Sequence, residues 1–204
     1  PGMVVMSPAD DVEARAMVQA AYEHKGPVYM RFGRSAVPVI HDEATFKFRI
    51  GKGEILREGS DAAILANGLM VAEALNAAEL LATEGISVRV VNLATVKPLD
   101  EELVLDCAKT CGRIVTCEEH SVIGGLGEAV CALLSEKLPT PVRRVGVQDT
   151  FGCSGPAAKV LEHYGLTAQN IAQAAKDLRC PAAKEKREER KPPRPAQPDG
   201  GLWF

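Results

Sequence analysis

This chain of 204 residues has few aromatic side chains and no excess of basic over acidic residues. Aromatic residues make up 4% of the sequence, and the formal net charge is −3. Single-stranded nucleic acids are stacked on aromatic rings, and nucleic acids in general are bound on basic surfaces. The composition therefore predicts that nucleic acid is not a partner.

Long apolar runs are also missing. No stretch approaches the roughly 18–20 apolar residues of a membrane span, and no signal peptide opens the sequence. We therefore expect no membrane partner and a cytoplasmic location. The chain begins Pro1-Gly2-Met3 and almost directly enters an apolar run, which predicts a fragment or a processed subunit.

The sequence also lacks repeated, closely spaced pairs of metal-ligating cysteines. The chain has six cysteines and four histidines, but no two cysteines form a C-x-x-C pair. Structural metal sites usually repeat such closely spaced pairs. We expect buried, reduced thiols and no metal site, because a disulfide framework is unusual in a chain of this size and pattern.

Strand-like and helical patterns alternate through most of the chain. Apolar strand-like runs lie at 62–66, 86–93, 114–117 and 141–148, and amphipathic helical segments lie at 69–83, 100–109, 125–137, 155–163 and 167–179. Such alternation is typical of a doubly wound sheet with helices on both faces. We therefore predict an α/β fold with three layers and a mostly parallel sheet.

The first forty residues form a strand–helix–strand unit that precedes this sheet. Strands are predicted at 3–6 and 28–32, with a helix through about residue 23 between them. Ser7 is expected to cap that helix, with Pro8 in its first turn. The unit is too small to bury a core alone.

A Gly-rich segment, EEHSVIGGLGEAV at 118–130, ends one strand and opens a helix. Free N–H groups at such a helix N-terminus can hold an anion. Alternatively, the glycines only let the chain turn and bring the helix close to the sheet. The structural role is favoured, because Val130 stands where the G-x-G-x-x-G pattern of nucleotide sites needs glycine.

Six segments in order resemble the transketolase family. They are PGM-x-V-x-x-PADDVE at 1–13, GPVYMRFGR at 26–34, NGLMVAEAL at 67–75, VRVVNLATVKPLD at 88–100, EEHSVIGGLGEAV at 118–130, and FGCSG followed by LEHYGL at 151–166. The resemblance covers about residues 1–180. It is to the end of the pyrimidine-binding domain plus the whole C-terminal domain, as in the C-terminal subunits of split transketolases.

This resemblance implies a domain organisation. Residues 1–40 would be the tail of the pyrimidine-binding domain, 41–55 a linker, and 56–180 the transketolase C-terminal domain. Residues 181–204 carry a mixed charge run and four prolines and are predicted to be a flexible tail. Its apolar end, 202–204, could dock into a groove on this or another chain.

The resemblance also implies an activity. Members of the family transfer a two-carbon ketol unit between sugar phosphates on thiamine diphosphate with Mg²⁺. The GDG motif and the activating Glu of the family do not occur in the matched part, so we expect this chain to be inactive alone. It would serve dimerisation and active-site completion in a homodimer with an N-terminal transketolase subunit, and we assign it no catalytic, cofactor-binding or metal-binding residue.

Two arginines are candidates for binding the substrate phosphate. Arg34, in MRFGR, stands where the family has its phosphate-binding Arg, and Arg31 is the second candidate. A guanidinium suits this task because its fork can bind phosphate oxygens bidentately. His120 follows two carboxylates in a loop, but no catalytic partner can be named for it. Glu118 and Glu119 are expected to form hydrogen bonds at the strand end.

Other functions remain open. 1-Deoxyxylulose-5-phosphate synthase and the β subunit of 2-oxo acid dehydrogenases share this domain. The MRFGR stretch, without a Tyr-Pro pair before its last Arg, and the KPLD turn favour transketolase. A module of a different class, which binds a partner chain or a regulatory small molecule without catalysis, is the remaining alternative.

Overall fold

The computed structural model describes residues 1–179, which form two sheets and six helices. The predicted tail at 181–204 and Cys180 lie outside the described residues. The elements in chain order are β1 (Val4–Met6), α1 (Asp11–Glu23), β2 (Val28–Met30), β3 (Glu54–Arg57), β4 (Ala62–Ala66), α2 (Met70–Thr83), β5 (Val88–Asn92), β6 (Thr95–Lys97), α3 (Glu101–Cys111), β7 (Ile114–Ser121), α4 (Leu126–Lys137), β8 (Val142–Val147), α5 (Ala157–His163) and α6 (Ala168–Arg179).

The main sheet has five strands in the order β3-β5-β4-β7-β8. The pairings of β4 with β5, β4 with β7 and β7 with β8 are parallel, and only the edge strand β3 is antiparallel. Every residue of β4 and β5 is buried, as expected for parallel strands covered on both faces. The predicted α/β fold with a mostly parallel sheet is therefore confirmed.

Helices cover both faces of this sheet and make the three layers. One apolar core lies between the sheet and helices α2 and α6, and it includes Ile64, Leu81 and Ile171. The second lies on the opposite face under α3 and α4, and it includes Leu65 and Leu134. Because successive side chains of a strand point to opposite faces, neighbours such as Ile64 and Leu65 serve different cores.

The two strands of the N-terminal unit form a second, three-stranded sheet together with β6, in the order β2-β1-β6. β1 pairs with β2 in parallel and with β6 antiparallel. Sequence analysis missed β6, because three residues of mixed polarity give no clear periodic signal. It also placed the end of β2 at residue 32, whereas β2 ends at Met30 and leaves Arg31 in the following loop. The chain thus passes from β5 in one sheet to β6 in the other within a few residues.

Helix α1 begins later than predicted. Ser7 does not cap it; Asp10 is the N-cap, and its side chain accepts a hydrogen bond of 2.8 Å from the backbone N–H of Glu13. The Glu13 carboxylate in turn accepts from the N–H of Ala9 at 2.7 Å. Asp10 and Glu13 therefore each satisfy a backbone N–H at the start of the helix, three residues after the cap expected at Ser7.

Four buried polar side chains connect the N-terminal unit to the main sheet. Asp10 accepts hydrogen bonds from the backbone N–H groups of Ile40 and His41 and lies 3.0 Å from Nδ1 of His41. Glu13 accepts a 2.8 Å bond from the side-chain amide of Asn92, at the end of β5. Polar groups are buried at low cost only where such partners are present.

The two carboxylates of this network respond differently to burial. For Asp10, burial opposes ionisation, but hydrogen bonds from Glu13, His41 and Ile40 outweigh it and lower the pKa. For Glu13, burial dominates over the bonds from Ala9 and Asn92 and raises the pKa. The balance between the cost of burial and the hydrogen bonds to the ionised carboxylate decides the direction of each pKa shift.

The segment that precedes β3 is hydrogen-bonded to the N-terminus of α3. Asp100 caps α3 as predicted, accepting from the N–H of Leu103 at 3.2 Å, and its second oxygen accepts from Gly53 at 3.0 Å. A Cβ at Gly53 would lie 2.6 Å from the Leu93 side chain and 3.0 Å from the backbone oxygen of Asn92, so a larger residue would require these neighbours to shift. β3 begins within the predicted linker, at Glu54, and the boundaries at 40, 55 and 180 stay predictions.

The Asp10 carboxylate predicts a specific pH dependence of stability. Its folded-state pKa lies below the ordinary value of 3.8, so its stabilising contribution is complete above that value and is lost as the pH falls through the lowered pKa. We expect Asp10→Asn to lower the free energy of unfolding by about 1–3 kcal/mol at neutral pH, with the difference from wild type shrinking below about pH 4. Urea unfolding at a series of pH values measures this.

The matched control is Asp11→Asn on the same helix, whose side chain is 61% exposed. This exchange should change stability by less than about 0.5 kcal/mol. A difference between wild type and Asp10→Asn that stays constant from pH 7 to acid would contradict the assignment.

Candidate functional site

The point where the strand order of the main sheet reverses lies between β4 and β7. β5 pairs with one edge of β4 and β7 with the other. In doubly wound sheets, ligands bind outside the carboxyl ends of the strands at this point. Here Asn67 follows β4, and Glu118, Glu119 and His120 occupy the end of β7.

An internal anion already occupies the Gly-rich turn at this edge. The Glu118 carboxylate accepts hydrogen bonds of 2.7 Å from the backbone N–H groups of Leu126 and Gly127, in the first turn of α4. A Cβ at Gly125 would lie 1.9 Å from the Glu118 carboxylate, so glycine is required there. The glycines therefore have the structural role that the sequence favours, and the helix N-terminus binds the chain's own carboxylate.

The N-terminal unit covers the rest of the edge. The N–H of Gly68 donates to the carbonyl of Ser7 at 3.3 Å, and the N–H of Ser7 donates to the carbonyl of Ala94 at 2.8 Å. A Cβ at Gly68 would lie 2.9 Å from the Ser7 hydroxyl, so the two backbones approach closely. The edge that often binds ligands in this fold class is here mainly a docking edge for β1.

A small cavity remains beside Arg31, which we call the Arg31 cavity. It has a volume of about 140 Å³, and its polar lining includes Arg31, Asn67, Glu118 and His120. Arg31 is half-buried, and within residues 1–179 its guanidinium makes no hydrogen bond or ion pair. This volume suits a small group or a few waters.

The environment of His120 gives no catalytic pair. Its Nδ1 lies 2.7 Å from the carbonyl oxygen of Ser121, which fixes a proton on that nitrogen, and 4.0 Å from the Glu118 carboxylate. Because both oxygens of Glu118 already accept backbone N–H groups, this carboxylate is committed to α4. Glu118 therefore has the hydrogen-bonding role expected from the sequence.

A larger cavity, the Arg34 cavity, has a volume of about 460 Å³ and lies where three parts of the chain meet. Arg34 and Ser35 come from the loop after β2, Glu119 from the end of β7, and residues 153–161 from the loop after β8 and α5. Arg34 is exposed and makes no hydrogen bond or ion pair within the described residues. The cavity thus combines a free guanidinium with a carboxylate and the hydroxyl of Ser154.

The structure does not bring the two predicted arginines into one site. Arg31 and Arg34 line separate cavities. Sequence reasoning also missed Glu119, Cys153 and Ser154 as neighbours of Arg34. The signal that could have found the last two is the FGCSG stretch, which follows the carboxyl end of β8 and therefore reaches the same edge of the sheet.

The cysteines divide into buried and accessible groups. The five described cysteines are free, and Cys107, Cys111 and Cys117 are buried, whereas Cys131 is half-buried and Cys153 is exposed. Burial raises the pKa of Cys107 to about 11 and also raises that of Cys117. These two thiols stay protonated at neutral pH and are poor nucleophiles. The expectation of burial was wrong for Cys153.

Residues 1–179 also lack two kinds of feature. No group of three or more His, Cys, Asp or Glu side chains within them is arranged to hold a metal ion. None of the helices in this part of the chain combines the length and apolar character needed to cross a membrane.

Comparison with known proteins shows the family. Residues 51–171 match the family described as transketolase, C-terminal domain. The 6-deoxy-6-sulfo-D-fructose transketolase subunit SqwH of Clostridium sp. strain MSTE9 is 49% identical over 178 residues, which cover 87% of this chain and 55% of that protein. The putative transketolase C-terminal section of Methanocaldococcus jannaschii is 44% identical over 85% of this chain and 54% of its own length.

Other relatives are longer enzymes. The 1-deoxy-D-xylulose-5-phosphate synthase of Heliobacterium modesticaldum is 45% identical over 87% of this chain but only 28% of its own length. A solved structure described as a split-gene transketolase, inactive beta4 tetramer, is 47% identical, has a TM-score of 0.83, and is matched over 88% of this chain and 57% of its own. The chain thus spans about half the length of the split relatives.

The fold is an α/β domain preceded by a strand–helix–strand unit that belongs to a second sheet. The chain belongs to the transketolase family, and its likeness is to the C-terminal part, as in split transketolase subunits.

The internal anion at α4 yields a stability prediction. Glu118→Gln keeps the shape of the side chain but removes its charge and turns an amide group toward a backbone N–H. We expect the free energy of unfolding to fall by about 2–3 kcal/mol, the value of lost hydrogen bonds to a charged group. Chemical unfolding monitored by circular dichroism measures the change.

The neighbouring exchange Glu119→Gln is the matched control, since Glu119 is exposed and outside this contact. It should change the free energy of unfolding by less than about 0.5 kcal/mol. Equal effects of the two exchanges would refute the role given to Glu118.

Proposed function

We propose that this chain is the C-terminal portion of a thiamine-diphosphate-dependent transketolase that transfers ketol units between sugar phosphates. The family match and two split relatives of similar coverage support this proposal. The chain is proposed to be inactive alone and to serve dimerisation and completion of the active site. Its partner would be an N-terminal transketolase subunit, with a homodimeric arrangement of the pair in the cytoplasm.

The observation that carries the proposed role is the position of Arg34. This unpaired guanidinium lines a cavity of about 460 Å³, within the range of small-molecule sites. A guanidinium binds phosphate oxygens through charge-assisted, bidentate hydrogen bonds. We propose that Arg34 binds the phosphate group of the substrate, and that Arg31 is a weaker candidate because its cavity is separate and smaller.

The other polar groups of the Arg34 cavity suit a sugar. The Glu119 carboxylate accepts hydrogen bonds, and the Ser154 hydroxyl both donates and accepts them. A polyhydroxylated chain offers both kinds of partner, whereas an apolar substrate would leave these groups unpaired. We therefore propose that Arg34 fixes the charged end of the substrate while Glu119 and Ser154 orient its hydroxyl groups.

The described residues do not fit the cofactor itself. The helix N-terminus that could bind a diphosphate is filled by Glu118, and residues 1–179 contain no cluster suited to Mg²⁺. Thiamine diphosphate supplies the carbanion-stabilising chemistry of the family when bound. We propose that other parts of the complete enzyme hold both groups, and that the residues of this chain bind and orient substrate.

Two alternatives assign the chain to a different complete enzyme. 1-Deoxy-D-xylulose-5-phosphate synthase has a supporting observation, the 45% identity to the relative from Heliobacterium modesticaldum. The β subunit of a 2-oxo acid dehydrogenase is a further variant of this kind. A non-catalytic assembly or regulatory module is the remaining alternative, and the docking of β1 onto the sheet edge is compatible with it.

Reconstitution tests the proposed function. The chain is mixed with a candidate transketolase N-terminal subunit, thiamine diphosphate and Mg²⁺, and ketol transfer from xylulose 5-phosphate to ribose 5-phosphate is assayed. We expect activity only with both chains present, because the partner subunit is proposed to hold the cofactor. Association of two folded chains without ketol transfer, or turnover by this chain alone, would refute the proposal.

Arg34→Ala tests the substrate site within the reconstituted enzyme. We expect kcat/KM for a phosphorylated donor to fall by an amount equivalent to about 1–3 kcal/mol, the value of a charge-assisted hydrogen bond. A non-phosphorylated donor should be affected much less. Arg15→Ala, an exposed arginine on α1 outside the cavity, is the control. Unchanged kcat/KM for the phosphorylated donor would remove Arg34 from the site.

A further inference from the structure

A second cavity of ligand size lies on a different side of the N-terminal unit. It has a volume of about 350 Å³ and is bounded by α1, the segment 40–49, β3 and the end of β5. We call it the α1–β3 cavity. None of its lining residues lines the Arg34 cavity or the Arg31 cavity, so the following inference is independent of the proposed function.

Three buried polar residues contribute to its lining. Glu13, His41 and Asn92 are only 2%, 7% and 1% exposed. The Asn92 amide donates to Glu13, but within residues 1–179 its Oδ1 has no hydrogen-bond partner. A buried acceptor without a partner costs about 1–3 kcal/mol, which favours a ligand group that donates to it.

His41 is fixed in orientation. Its Nδ1 carries the proton shared with the Asp10 carboxylate, because a carboxylate only accepts. Its Nε2 makes no hydrogen bond within the described residues, but it lies 3.2 Å from the Glu54 carboxylate, so this nitrogen already faces a charged group of the protein. The ring packs against Phe46 at 4.2 Å between centroids. The unpartnered Oδ1 of Asn92, held in place by the bond of the same amide to Glu13, is therefore a preorganised acceptor, which reduces the entropy cost of binding.

The walls and rim indicate what the ligand would contain. Phe46 and Phe48 provide aromatic walls. At the rim, Lys52 is paired with Asp100 and Glu102, but Lys47 and Arg49 have no ion pair within residues 1–179. Asp42 and Glu54 also line the cavity, but Asp42 accepts a hydrogen bond within its own turn and Glu54 lies against His41. The two cations that are unpaired within residues 1–179 match the two charges of a phosphate monoester better than the single charge of a carboxylate.

We propose that the α1–β3 cavity binds a small phosphate monoester that carries a flat ring with a hydrogen-bond donor. The phosphate lies between Lys47 and Arg49 at the rim, the ring lies against Phe46 and Phe48, and the donor points toward Asn92. The cavity lies between the N-terminal unit and the main sheet, so a ligand bound in it would stabilise the docking of these two parts. Its role would be regulatory or structural, since it lies apart from Arg34.

Calorimetric titration of the whole chain tests this site with four probes: adenosine 5′-monophosphate, ribose 5-phosphate, adenosine and inorganic phosphate. We expect adenosine 5′-monophosphate to bind saturably and at least tenfold more tightly than the other three, because only it has both the ring and the phosphate. The double substitution Lys47→Ala with Arg49→Ala should weaken its binding at least tenfold. Both side chains are exposed, so the variant should fold.

Lys109→Ala is the control for charge, since Lys109 is an exposed cation on α3 away from the cavity; its binding should equal that of wild type. Absence of saturable binding of adenosine 5′-monophosphate up to about 5 mM, well above the range of a specific site, would overturn the proposal. Equal binding by the double variant would do the same. Equal affinity for inorganic phosphate would refute the part assigned to the ring.

Discussion

The Glu13 carboxylate is the contact on which the arrangement of the two sheets depends most. One of its oxygens accepts from the backbone of Ala9, just before α1, and the other accepts from the side chain of Asn92, at the end of β5. It therefore connects the start of the first helix to the centre of the molecule. Because burial raises its pKa, this carboxylate contributes to docking at the expense of its own solvation. Such a contact gives geometric definition more than stability, since few other positions of α1 satisfy both donors.

Different contacts hold the two sheets together at the opposite edge of their interface. There the Glu118 carboxylate neutralises the N-terminus of α4, and β1 covers the switch point of the sheet. A doubly wound domain that stood alone would leave this crevice open to a ligand. Here the chain itself narrows the crevice to the Arg31 cavity of about 140 Å³. The larger cavity forms beside it, where Arg34 meets the loop after β8.

The sequence predicted the fold well because its signals are local. The buried strands β4 and β5, the cap at Asp100 and the alternation of elements follow from apolar runs and capping residues within short windows. β6 was missed because its pairing with β1 is distant in sequence and leaves no periodic pattern. The capping error at Ser7 has a similar cause: Ser7 and Asp10 both suit a helix start, and only the tertiary contacts of Asp10 with Ile40 and His41 favour the later one. The candidate site was predicted less completely. Arg34 came from a resemblance, and its neighbours Glu119 and Ser154 are brought to it by the topology of the sheet.

The Arg34 cavity exists only when both sheets are docked. Arg34 belongs to the loop after β2, in the N-terminal unit, whereas Glu119 and residues 153–161 belong to the main sheet and its following loop. The network of Asp10, Glu13 and Asn92 is therefore a positioning device for this cavity, although none of these residues lines it. A small rotation of the N-terminal unit would separate the guanidinium from the hydroxyl of Ser154 without unfolding either sheet. Under the proposed function, substrate binding at Arg34 and the docking of the two sheets would depend on the same buried carboxylates, and a ligand in the α1–β3 cavity, which is lined by two of the three network residues, would act on the same interface.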